Sequence, residues 1–173
     1  MVSVTGCNDN DTDDLPPPPA ADPAAAGSQA TVDPAHQPIL DAYRGSVQAM
    51  LAAQAAGDPE HPDLTRFFAE GTPALFNVVS GVERHTARGT YYAGDLIVTA
   101  AEVTDLDLTT TPPEAIIESC LDSTNYRLVR REDNTPVPEA EPGRRYLVIS
   151  KALQNTDDRW YIVETQAEWE TEC

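Results

Sequence analysis

The sequence predicts an α+β fold: three N-terminal helices packed on one face of a curved antiparallel sheet, preceded by a disordered tail. Two observations carry this. Three helix starts are punctuated alike, each with a capping residue followed by Pro: Asp33-Pro34, Asp58-Pro59 and Thr72-Pro73. Each predicted helix also closes near a glycine, at Gly57, Gly71 and Gly89. Proline is tolerated at the first helical position because its missing N–H would be unpaired there anyway, and glycine accepts the left-handed exit. After Gly89 the helical pattern stops and β-rich segments follow to the end. Helices first and strands afterwards segregate into two layers.

In the first helix Ile39, Tyr43, Val47, Met50 or Leu51, and Gln54 recur every three or four residues, making one face apolar. Pro38 allows the regular part to begin only there. Leu64, Phe67 and Phe68 give the short second helix its face, and Leu75, Phe76, Val79 and Val82 the third. Tyr91 to Leu108 reads as one long strand with Gly94-Asp95 as a bulge. Thr111-Pro112-Pro113 turns the chain into a strand over Ala115–Leu121, and another spans Tyr126–Val129. Residues 132–143, with Pro136, Pro138, Pro142 and Gly143, form a loop. Arg145–Leu153 alternates well, and Asn155-Thr156-Asp157-Asp158 turns into a last strand over Trp160–Trp169.

This order, together with Cys120-Leu121-Asp122, Gly143-Arg144-Arg145 and Asp158-Arg159-Trp160, resembles the cone-shaped, cystatin-like superfamily of nuclear transport factor two, ketosteroid isomerase and polyketide cyclases. The resemblance covers about residues 36–172 and is strongest to secreted actinobacterial members. It implies a cone opening into an apolar pocket, which Phe67, Phe76, Tyr91 and Trp160 are expected to line. Enzymes of this type place a carboxylate base and a Tyr or Asp oxyanion donor in the pocket. Asp95, Asp105 or Asp107 with Tyr91 or Tyr92 are the residues on offer. None lies in a recognisable isomerase or cyclase motif, so no catalytic residue is assigned. Asp105 and Asp107 alternate with Leu106 and Leu108, as a solvated strand face does. The resemblance also allows docking through the open sheet face, onto a second copy or another envelope protein, which an exposed Trp169 would favour.

The N-terminal segment supplies an address. Val4-Thr5-Gly6-Cys7, followed by an acidic, proline-rich run, resembles the junction of a bacterial lipoprotein, with Cys7 as the lipidated residue. Residues 1–7 then read as the remnant of the signal segment. No basic n-region or apolar h-region precedes Cys7, so the true start lies upstream in that reading; otherwise Cys7 is incidental. Residues 8–35 hold Pro16-Pro17-Pro18-Pro19, only Leu15 and Val32 as larger apolar side chains, six acids and no bases. That is too little burial to offset chain entropy, and the segment reads as a tether. Residues 36–173 form the folded domain.

The net charge is −18, of which −12 falls on residues 36–173. A polyanionic partner would be repelled, which argues against nucleic acid. With no apolar run of about 18 residues, nothing reads as a membrane span, and the membrane is met through the lipid alone. Ten of eleven basic residues are Arg, a usage that points to a GC-rich, actinobacterial type of genome. If Cys7 is lipidated, Cys120 and Cys173 remain, and an oxidising compartment lets them pair; the alternative is two free thiols. His36, His61 and His85 are scattered without metal-ligand spacing, and no cofactor motif is present. The expected protein is a lipid-anchored, extracytoplasmic binding or docking protein without catalysis. The alternative is an isomerase- or cyclase-type enzyme acting on a small apolar substrate.

Overall fold

The computed structural model describes residues 33–138 and 140–173. Cys7 and nearly all of the expected tether lie outside the described residues. The fold is α+β, with helices packed on one face of an open antiparallel sheet.

Helix α1 (Gln37–Ala56) starts later than Asp33-Pro34 suggests. Asp33 Oδ1 accepts the Ala35 N–H at 2.9 Å, forming a local turn, and the helix begins next to Pro38. Its buried face carries Ile39, Tyr43, Val47, Ala49 and Ala53. Gly57 ends it at φ +66°, with its N–H on the Ala53 and Gln54 carbonyls. Helix α2 is a single turn, Leu64–Phe67. Asp58 Oδ1 takes the Glu60 N–H at 3.0 Å instead of capping a helix, and Pro62 steers His61 away from helical angles. Helix α3 (Pro73–Ala87) begins where Thr72-Pro73 predicts, with Thr72 extended.

The long strand expected from Tyr91 is two strands in two sheets. Strand β1 (Thr90–Ala93) pairs with β4 (Arg127–Arg130) as a separate ribbon. Strand β2 (Ile97–Asp107) opens the main sheet, whose order is β2-β3-β5-β6, with β3 Glu114–Asp122, β5 Arg145–Gln154 and β6 Trp160–Glu168. The break falls at Gly94, at φ +95°, where a Cβ would lie 1.9 Å from the Asn125 carbonyl oxygen. Only glycine combines that angle with that approach. The bulges expected of a bent strand sit inside β2 instead, between Val98 and Ala100 and between Val103 and Asp105.

Ser119 and Leu121 of β3 face the helices, so Cys120 faces the other way. There it forms a disulfide with Cys173, the two Cα atoms 5.8 Å apart across 53 residues. The segment after β6 crosses the end of β5, where the Thr171 carbonyl accepts the Leu147 N–H at 3.0 Å. Ile39, Leu40, Tyr43, Leu64, Ile117 and Ile162 are essentially sealed from solvent and hold helices and sheet together.

Candidate functional site

A cavity of about 660 Å³ lies between the helices, the inner face of the sheet and the β1–β4 ribbon. Each wall follows from a local periodicity. Helix α1 contributes Tyr43, Val47, Met50 and Gln54, its inward residues at steps of three and four. Helix α3 contributes Ala74, Asn77, Val78, Gly81, Arg84 and His85, again a single face. From β5 come Tyr146 and Val148, alternate residues of one strand face. Tyr92, Leu96, Leu121, Tyr126 and Leu128 close the far side, and residues 140–144 with Trp169 form a rim.

Four phenols, Tyr43, Tyr92, Tyr126 and Tyr146, stand among the polar groups of this wall. Tyr92 and Tyr126 stack at 4.9 Å, and the His85 ring meets Tyr92 edge-on at 5.1 Å. Tyr146 packs against Trp169 at 4.3 Å. The Tyr126 hydroxyl donates to Gln54 Oε1. Ser119 Oγ donates to the Val148 carbonyl at 3.3 Å, which leaves Tyr43 to donate to Ser119. Among the described residues the Tyr92 and Tyr146 hydroxyls have no protein partner, so a guest in the cavity can use both. Burial pushes the Tyr43, Tyr126 and Tyr146 hydroxyls up, Tyr146 to about 12, so all three are neutral donors near neutral pH. Burial, then the charges of Arg84 and Arg88, hold the His85 imidazole below its ordinary value. Among the described residues the charged side chains of the wall are Arg84, Arg144 and Glu141; the last two pair at 3.5 Å on the rim, with Glu141 87% exposed.

None of the four residues expected to line the pocket borders this cavity. The Phe67 ring lies flat on Gly45 of α1, where a Cβ would come within 2.2 Å of it. Phe76 is 70% exposed on the solvent side of α3. Tyr91 points out of the ribbon, its hydroxyl donating to Asn134 Oδ1 at 2.7 Å and its ring 4.7 Å from the Arg131 guanidinium. Trp160 is buried in the core, at 7% exposure. In two cases the cavity takes the next residue, Phe68 for Phe67 and Tyr92 for Tyr91. Asp95, Asp105 and Asp107 also lie off the cavity, whereas Tyr92 lines it. Tyr43, Tyr126 and Tyr146 line the cavity as well, outside the residues expected from the sequence. Alternation from Arg145 through Val148 was the available signal for Tyr146. Trp169 is 57% exposed. His36 precedes α1 and His61 sits beside Asp63, so the histidines stay apart, and no cluster of three or more metal-ligating side chains occurs among the described residues.

No family model and no curated protein matches this chain. Among solved structures it is similar to the intermembrane space region of the chloroplast protein ARC6. That likeness has a TM-score of 0.51 at 12% identity and covers 76% of this chain and 94% of that one. At such identity it speaks to the fold alone: an α+β domain whose helices pack on an antiparallel sheet.

Proposed function

We propose that the chain is a lipid-anchored, extracytoplasmic binding protein of the nuclear-transport-factor-two-like type, akin to secreted actinobacterial members, that holds a small apolar ligand without reacting it. The observation that carries this reading is the cavity itself. Its volume lies within the roughly 300–1,000 Å³ of ordinary small-molecule sites, and its wall is mainly apolar and aromatic with a few phenol donors. An isomerase- or cyclase-like reaction needs a carboxylate base against the substrate. Among the described residues the carboxylate at this wall is Glu141, which belongs to the solvated rim and is already paired with Arg144. The Cys120–Cys173 disulfide is compatible with an oxidising compartment. Among the described residues no helix is long and apolar enough to cross a membrane, so attachment would fall to Cys7.

A second reading rests on Trp169. A half-exposed Trp at the cavity rim suits docking of another envelope protein or a second copy.

Two measurements test these readings. Intact mass of the protein produced in an actinobacterial host from its own locus should show a diacylglyceryl-sized gain on Cys7; an unlipidated soluble product removes the anchor from the proposal. Titration calorimetry with small apolar compounds should show saturable binding that Met50→Trp abolishes. Binding that survives the filled cavity would move the site elsewhere, to the Trp169 surface first.

A further inference from the structure

Helix α3 lays an unusual series along the cavity. Ala74, Asn77, Val78, Gly81, Arg84 and His85 share one face, and the series runs from apolar to basic. At Gly81 there is no side chain to separate the apolar part from Arg84. A Cβ built there meets only Arg84 Nη2, at 4.0 Å, so the space above the helix is open. The wall's charges do not cancel. Arg144 and Glu141 offset each other on the rim, and Arg84 has no carboxylate partner among the described residues. Arg88, one turn further on, likewise has none. In a chain with 29 acids and 11 bases, Arg84 is an exposed base without a carboxylate partner among the described residues, standing where the apolar cavity meets solvent. Burial first, and then the charges of Arg84 and Arg88, hold the neighbouring His85 below its ordinary value. Arg84 stands in the last turn of α3, where a base also complements the helix dipole, and it lines the cavity as well.

We infer that the cavity takes a single-chain amphiphile with an anionic head group, a carboxylate or a phosphate, its tail among Val47, Met50, Val78 and Leu121 and its head at Arg84. The inference rests on the binding reading above and names the ligand class for that site. The guanidinium supplies a planar fork for either anion, and Tyr92 lines the same cavity.

Calorimetric titration of the folded protein with dodecanoate, dodecyl phosphate, dodecanol and dodecyltrimethylammonium, each below its micelle concentration, tests it. At least one anion is expected to bind about ten-fold or more tightly than dodecanol, the size of one charge-assisted contact, and the cation weakest of all. Which anion binds better distinguishes carboxylate from phosphate. Arg84→Gln should bring the anions down to dodecanol while leaving dodecanol unchanged. Gly81→Leu, which keeps the helix and the charge but fills the open space, should weaken all four. Equal binding of dodecanol and both anions, or an anion preference that survives Arg84→Gln, overturns the head-group assignment and leaves the apolar site standing. Undiminished binding to Gly81→Leu, or no binding of any of the four, overturns both.

Discussion

Gly143 shows how a single missing methyl group shapes the rim. A Cβ there would lie 1.7 Å from the Ser123 carbonyl oxygen, an atom of the backbone that cannot swing aside. Ser123 Oγ and the Arg144 backbone bond each other in both directions at the same crossing. Gly143→Ala should therefore cost about 2–3 kcal/mol, read as a lowered urea midpoint, and should loosen the 140–144 rim. Tyr43→Phe is milder. It removes the bond to Ser119 while Ser119 keeps Val148, so a loss of about 1 kcal/mol is expected in the same assay. Neighbouring aromatics explain what the sequence left open at this scale. Phe67-Phe68 and Tyr91-Tyr92 each offer two rings on opposite faces, and hydrophobicity alone cannot say which turns inward. The turn after Phe67 and the register Tyr92↔Leu128 decide it, and both depend on tertiary pairing.

Helix punctuation was legible in proportion to the competition at each start. Thr72-Pro73 opens α3 as expected through backbone geometry, Thr72 extended and Pro at the first position, although the Thr72 hydroxyl donates to the Ala69 carbonyl at 2.7 Å and caps no helical N–H. Asp58-Pro59 fails because Pro62 follows and Asp58 prefers its own turn. The split of β1 from β2 was not legible, since Gly94 reads equally as a bulge or a corner until Asn125 is brought against it. Counting cysteines left the Cys120–Cys173 pair or two free thiols; the pair forms, with Cys120 on the face of β3 away from the helices, which the sequence alone does not assign. Replacing both Cys120 and Cys173 with Ala should cost up to about 4 kcal/mol from chain entropy for a loop of this length. Hydrogen exchange should show the loss concentrated at 169–173 and the first residues of β5, where the Leu147 N–H bond is held. An unchanged exchange pattern there would mean that the crossing segment is held by its packing alone.

For the molecule as a whole, the phenols of the cavity set an alkaline limit. Tyr43, Tyr126 and Tyr146 bind their protons more tightly folded than unfolded, Tyr146 up to about 12. Their contribution is complete below the ordinary phenol value near 10 and is lost as pH rises from there through the folded values. The urea midpoint should accordingly fall between about pH 10 and 12, and Tyr146→Phe should flatten that fall. Charge acts in the same direction at neutral and alkaline pH, since a chain at −18 repels itself; raising ionic strength at pH 7 should raise the melting temperature. The two tryptophans divide the molecule into independent optical reporters. Trp160 sits in the core and Trp169 stands at the rim on Tyr146, so their emission should differ in wavelength and in access to an aqueous quencher. The chain thus carries its own pair of dyes: the blue-shifted, shielded component follows unfolding, and the red-shifted, quenchable one follows whatever enters or covers the cavity.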